Sequence, residues 1–177
     1  MDAAQPATRS WEEIERAMEA RASRPLADRV ALAGPWRVNA GRPVLMSDGY
    51  AWSGAITKAG RKVGWAEDGG YGGAVLVRFD GPGRDALEAE FLAAARAFDP
   101  ECDFEQAGTF ASQLADLNDE VKRLRRACKT KLVFRRAGDP GGEWRTLAVL
   151  FAPERAAALR AKYPDVVEIA NEVIVAY

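Results

Sequence analysis

The sequence predicts an α+β fold, in which an antiparallel β-meander and a second hairpin are packed by three to four helices. Strand-like segments cluster at residues 44–79 and 130–151 instead of alternating with helices, which favours antiparallel pairing over a doubly wound sheet. Between these clusters, residues 84–98 and 109–129 repeat apolar side chains at spacings of three and four, as amphipathic helices do. The 177 residues suffice for one domain with its own core.

The N-terminal part predicts a disordered segment at residues 1–9, followed by a helix. Ser10 and Glu13 in "SWEE" form a capping box, so the helix is expected to begin at Ser10 and to run to about Ala22. We expect segment 10–24 at the periphery of a single domain that spans residues 10–177. After it, Leu26 begins a stretch that suits only a short turn of helix.

The meander begins with a short strand that ends at a turn, Asp48-Gly49. The next segment, "YAWSGAIT", alternates between two faces, and a hairpin turn in "KAGR" joins it to "KVGWA". Aromatic side chains on a sheet can stack nucleic-acid bases, but more often they form the core under a helix. We therefore expect Tyr50, Trp52 and Trp65 to lie in the core.

The C-terminal half predicts two further elements and one ambiguous tail. The segments "TKLVFRR" and "WRTLAVLF" suit a hairpin, and Pro153 suits the first position of a helix that runs to about Lys162. In the tail, 165–177, Val173 and Ile174 favour a strand whereas Ala170 favours a helix, so both conformations stay open.

Composition limits the function classes. The formal net charge is −1, which gives no global field that would attract nucleic acid. The chain contains no histidine, which excludes serine–histidine and cysteine–histidine nucleophile pairs. Cys102 and Cys128 match no metal-binding spacing and suit free thiols. With neither a signal peptide nor an apolar run long enough for a membrane span, we expect a cytoplasmic protein with no membrane partner.

The glycine loop, which we define as Gly69, Gly70, Tyr71, Gly72 and Gly73, is the first candidate site. Glycine-rich loops can cradle phosphates, because their backbone N–H groups converge on an anion. Here the Walker and dinucleotide patterns are not matched, and a strand-like segment, "AVLVRF", follows. The loop is therefore expected to connect two strands, either as plain structure or as a flexible display of Tyr71 to a protein partner.

A basic run at residues 122–136 is the second candidate. It contains eight positive charges and no acidic residue. Such a face can follow a phosphate backbone, although it can equally be solvated or pair with the acidic segment 80–106. The residues that would bind nucleic acid are Lys122, Arg125, Arg126, Lys129 and Arg135.

Catalysis is the least favoured class. The acidic loop "DPECDFE" could hold a divalent cation for a metal-dependent hydrolase, but it lacks the glycine and the terminal glutamate of a calcium-binding loop. We expect no catalytic residues, no metal site and no cofactor.

Two segments, "KAGRKVGWAEDGGYGGAV" and "LRRACKTKLVFRRAGDPGGEWRTLAVLFAPERAAALRAKYPD", resemble a family of small hypothetical proteins of bacteria and phages. In that family a glycine-rich segment is followed by a helix, a "K-T-K-x-x-F-R" strand and a "W-R-T" strand. The resemblance covers about residues 45–170 and brings no catalytic residues with it. It implies a phage or mobile-element accessory protein that binds host proteins or nucleic acid. We therefore expect a small non-catalytic binding protein that modulates or inhibits a host system.

Overall fold

A computed structural model describes residues 24–174, and within them the α+β prediction is confirmed. The predicted disordered segment 1–9 and most of the helical segment 10–24 lie outside the described residues. The helices are α1 (Leu26–Ala33), α2 (Arg84–Phe98), α3 (Gln106–Cys128), α4 (Pro153–Lys162) and α5 (Ala170–Ile174). The strands are β1 (Trp36–Ala40), β2 (Val44–Leu45), β3 (Tyr50–Lys58), β4 (Arg61–Asp68), β5 (Leu76–Phe79), β6 (Leu132–Arg136), β7 (Arg145–Leu147) and β8 (Val166–Ile169).

The first sheet is the predicted meander with one added strand. Its order is β1-β3-β4-β5, and β2 pairs with the first two residues of β3. All of these pairings are antiparallel. At the β3–β4 turn, Ala59 and Gly60 both have positive φ, 48° and 77°, which matches the right-handed twist of the flanking strands. The hairpin predicted at "KAGR" is thus confirmed.

The aromatic residues of this sheet divide between its two faces. Trp52 packs against the core, as predicted. For Tyr50 and Trp65 the prediction of a core position is wrong. Tyr50 lies at the start of β3 and is 60% exposed. Trp65 pairs with Ala55, on the opposite face from Ile56, and the Arg78 guanidinium carbon lies 5.2 Å from the centre of its ring.

Helix α3 lies between the two sheets and organises the main core. It contacts β1 and β5 of the first sheet, β6 of the second, and α1, α2 and α5. An aromatic chain fills the space beside it, with the Phe91 ring 5.0 Å from Trp36 and 4.9 Å from Phe110. Edge-to-face and tilted pairs of this kind stabilise a core beyond their buried area.

The second sheet has the order β7-β6-β8, and both of its neighbouring pairs are antiparallel. Its central strand β6 is buried on both faces: Val133 belongs to the main core, whereas Leu132 and Phe134 belong to a second cluster. Helix α4 covers that second cluster with Ala156 and Leu159. The apolar run in "LVFRR" therefore reflects a strand with no solvent face.

Several element boundaries differ from the prediction. Helices α2 and α4 match it, but α3 begins at Gln106 instead of Thr109, and β7 has only three residues. The ambiguous tail contains both elements in succession, because β8 ends at Ile169 and α5 begins at Ala170.

The carboxylate of Glu168 joins α1 to the second sheet. The start of α1 has no capping side chain of its own, and Leu26 and Ala27 each donate a backbone N–H to Glu168, at 3.0 Å. Arg135 on β6 places its Nη2 atom 3.6 Å from the same carboxylate. Both charged side chains are almost fully buried, and their opposite charges offset part of the cost of that burial.

A second buried carboxylate, Glu120 on α3, accepts hydrogen bonds from two directions. Arg29 of α1 lies 2.7 Å away, and the Trp144 indole N–H donates at 2.8 Å. Burial opposes ionisation of Glu120, but the Arg29 guanidinium and the indole N–H outweigh it and lower its pKa. Helix α1 is therefore tied to α3 as well as to β8.

We expect Glu168→Ala to lower the free energy of unfolding by about 3–5 kcal/mol, because it leaves the Arg135 charge buried without this carboxylate and frees two helix N–H groups. Urea unfolding followed by circular dichroism measures the loss.

The matched control is Glu172→Ala. Its exposed ion pair with Arg160 is worth about 0–1 kcal/mol. Equal destabilisation by the two variants would contradict the role given to Glu168.

Candidate functional site

The glycine loop connects β4 to β5, so the prediction of a strand-to-strand connection is confirmed. Gly70 and Gly72 adopt positive φ, 71° and 72°, which other residues rarely adopt. The Gly70 N–H donates to the Asp68 carboxylate at 2.8 Å. An amide that already faces a carboxylate is poorly placed to bind phosphate, which supports the sequence argument against a phosphate cradle.

The glycine loop packs closely against the β2–β3 hairpin. A Cβ on Gly70 would lie 2.7 Å from the Ala51 nitrogen and from the Met46 side chain, so the loop rests directly on the β2–β3 hairpin. The Tyr71 ring folds back over Gly69, where a Cβ would approach its Cδ2 atom to 3.2 Å. The ring is nevertheless 66% exposed.

Exposed apolar side chains collect at this end of the first sheet. Leu45 is 70% exposed and pairs directly with Tyr50, so these two side chains lie on the same side of the hairpin. Val44 is also exposed, but as the neighbour of Leu45 on β2 it faces the opposite side of the hairpin. We call the exposed apolar side chains at this end of the sheet, Val44, Leu45, Tyr50 and Tyr71, the hairpin surface.

A pocket of about 430 Å³ opens beside the hairpin surface. Tyr50 and Trp52 of β3 contribute its aromatic lining, and Asp116 and Asp119 of α3 contribute carboxylates. Asp68, the residue that binds the Gly70 N–H, adds a third carboxylate. The pocket thus shares Tyr50 with the hairpin surface and Asp68 with the base of the glycine loop.

The three carboxylates differ in their partners. Asp119 accepts a hydrogen bond from Lys122 at 3.0 Å, and Asp68 accepts the Gly70 N–H. Asp116 accepts no hydrogen bond and forms no ion pair within residues 24–174. Partial desolvation, together with repulsion from Asp119 and Glu120, raises the pKa of the Asp116 carboxyl. Asp116 is exposed to solvent, so the pocket presents a carboxylate that no side chain of the described residues pairs with.

The basic run does not form one continuous surface. Arg125, Arg126 and Lys129 are exposed at the end of α3, and Lys122 pairs with Asp119 of its own helix. Arg135, which was expected among the nucleic-acid-binding residues, is only 3% exposed, and this placement corrects that prediction. It is buried because β6 is covered on both faces. Its pairing with Glu168 also differs from the predicted pairing with segment 80–106.

The acidic loop and the cysteines were the remaining candidates. Within residues 24–174, no three carboxylate or thiol side chains come close enough to hold a metal ion together. Asp99 turns inward and accepts a hydrogen bond from Gln113 at 3.4 Å. Cys102 and Cys128 are free thiols, as predicted, and burial raises the pKa of the Cys128 thiol.

The chain matches no family model, no curated protein and no solved structure. The resemblance to small proteins of bacteria and phages stays a prediction. None of the helices between residues 24 and 174 is both long enough and apolar enough to cross a membrane.

Sequence reasoning missed the pocket, although it identified the loop at its edge. Asp116 and Asp119 are separated by three positions on α3, so both lie on one side of the helix. That spacing was a detectable signal. Asp68 and Trp52 join these two aspartates in the pocket because α3 packs on the first sheet. The order of residues along the chain does not predict that packing.

The raised pKa of Asp116 predicts a measurable pH effect. The folded state binds this proton more tightly than the unfolded chain, so stability falls as pH rises above the ordinary value of 3.8. We expect Asp116→Asn to remove this dependence and to stabilise the protein near pH 7 by about 0.5 kcal/mol.

Carboxyl NMR titration of Asp116 and thermal melts at several pH values test this effect, with Asp85→Asn on the exposed face of α2 as control. A titration midpoint below 3.8 for Asp116 would contradict the expectation.

Proposed function

We propose that this chain is a non-catalytic binding protein that docks a protein partner on the hairpin surface. The observation that carries the proposal is the group of four exposed apolar side chains at one end of the first sheet, at 59%, 70%, 60% and 66% exposure. Apolar side chains that are exposed together are a feature of interaction sites. Tyrosine is enriched among the residues that contribute most to binding energy.

The physical character of the surface suits a protein partner. Strand pairing holds β2 against β3, and the glycine loop lies against this hairpin through Gly70. Groups that are already held in place lose less conformational entropy on binding. Accessory proteins of the phage type, which the sequence resembles, act on host systems through such contacts, and we extend the proposal to a modulator or inhibitor of a host system.

A photo-crosslinking amino acid, p-benzoylphenylalanine, at position 71 tests this proposal in extracts of the cells that carry the protein. We expect one discrete adduct from position 71 and none of the same mass from position 104, where Phe104 is 72% exposed on another loop. Once that partner is purified, Leu45→Asp should weaken its binding at least about tenfold, because it places a charge at the centre of the apolar contact.

Leu150→Asp is the matched control, since Leu150 is also exposed but follows β7 in the second sheet. Identical adducts from positions 71 and 104, or equal affinities of the Leu45 and Leu150 variants, would reject the hairpin surface as the docking site.

A second candidate is nucleic-acid binding by the end of α3. The observation that favours it is the exposure of Arg125, Arg126 and Lys129 in one turn, with Lys131 just beyond. If these four residues contact phosphates, the logarithm of the affinity should fall with the logarithm of salt concentration with a slope of roughly −3.6.

Fluorescence titration with single- and double-stranded DNA and RNA measures that slope. A double charge reversal, Arg125→Glu with Arg126→Glu, should abolish the salt-dependent binding. The reversal of Arg61 and Lys62, which are exposed at the β3–β4 turn, is the control. Binding that is absent, or that survives the first reversal, removes this candidate.

A further inference from the structure

The pocket beside the hairpin surface has a chemical character that the apolar contact alone does not explain. Its lining combines the aromatic rings of Tyr50 and Trp52 with the carboxylates of Asp68, Asp116 and Asp119, and it contains no lysine or arginine. Lys122 offsets the charge of Asp119 from outside the lining. A ligand that enters this space therefore meets aromatic faces and net negative charge together.

Asp116 is the carboxylate of the pocket that has no internal partner. It forms no hydrogen bond or ion pair within the described part of the chain, and it is exposed to solvent. Two buried carboxylates, Glu168 and Glu120, are each matched with a guanidinium, from Arg135 and from Arg29. A cation from outside can pair with Asp116 without displacing an internal partner.

The aromatic lining indicates an organic cation. A guanidinium has a planar face that stacks on aromatic rings and an edge that donates to carboxylates. This chain uses that combination twice among the described residues: Arg136 lies over Tyr163 at 4.9 Å while it pairs with Asp165, and Arg135 lies over Trp144 at 5.6 Å while it pairs with Glu168. The three carboxylates of the pocket do not form a group that could hold a metal ion.

We infer that the pocket receives an arginine side chain of the protein partner, whose apolar residues rest on the hairpin surface. The inference depends on the proposed function, because it names the chemistry of the same partner. The face of the guanidinium stacks on the aromatic lining, Trp52 and Tyr50, and its edge donates to Asp116.

NMR titration of the full chain with N-acetyl-arginine amide tests the pocket without the partner. We expect saturable shifts of the Trp52 indole resonance, assigned with Trp52→Phe, and much smaller shifts for Trp65, which lies on the opposite face of the sheet under Arg78. The uncharged isostere N-acetyl-citrulline amide should give no saturable shift. N-acetyl-lysine amide should bind more weakly, because an ammonium stacks less well.

The Asp116→Asn variant should bind N-acetyl-arginine amide about two- to fivefold more weakly, as expected for one partly exposed charge pair. Asp85→Asn, on the exposed face of α2, should not change the affinity. Equal shifts with the arginine and citrulline probes, or unchanged affinity of the Asp116 variant, would overturn the inference.

A competition experiment connects the pocket to the partner. Saturating N-acetyl-arginine amide should lower the yield of the adduct from position 71, whereas the citrulline probe should not. An adduct without any arginine-specific shift rejects the pocket assignment and leaves the hairpin surface intact. Arginine-specific shifts without an adduct reject the protein partner and leave the cation pocket intact.

Discussion

The fold depends on the buried carboxylate of Glu168 more than on any other single group. Helix α1 begins at Leu26 without a capping side chain, and this carboxylate, 142 residues away in sequence, accepts its first two N–H groups. The same group compensates Arg135, which is buried because β6 is covered on both faces. One carboxylate thus contacts a charged strand residue and a helix terminus, and its removal leaves both without a buried contact.

Buried polar contacts connect Glu168, step by step, to the helix that forms one wall of the pocket. Glu168 fixes α1, Glu120 fixes α1 to α3, and Asn118 of α3 donates to the Val38 carbonyl of β1 at 3.0 Å. The position of α3 against the first sheet is thus set by buried polar contacts as well as by the aromatic core. Because Asp116 and Asp119 belong to this helix and Trp52 belongs to the sheet, the pocket between them follows from the packing.

The sequence predicted what depends on local pattern. The periodicity of 84–98 and the proline at position 153 predicted the bounds of α2 and α4, and glycine spacing predicted a strand-to-strand loop at 69–73. Sequence-based predictions were wrong at positions whose burial depends on residues far away in the chain. Tyr50 has the alternation of a core residue, but it lines the open pocket beside α3 and stays 60% exposed. Arg135 continues a basic run, but its strand is enclosed by elements whose positions no local pattern encodes. The pocket was not predicted for the same reason, because three segments that are separate in the sequence form its lining.

The buried carboxylates and the pocket carboxylate Asp116 differ in whether a cation of the protein pairs with them. Every ion pair with both side chains mostly buried joins segments that the fold must hold together, and each such carboxylate has its guanidinium. Asp116 differs, because it is exposed in the pocket and pairs with no cation of the described residues, although Arg and Lys residues are plentiful on the same helix. A carboxylate that no internal group engages is available to a cation that arrives with a ligand. In the proposed function, the hairpin surface supplies binding energy and the pocket discriminates between partners.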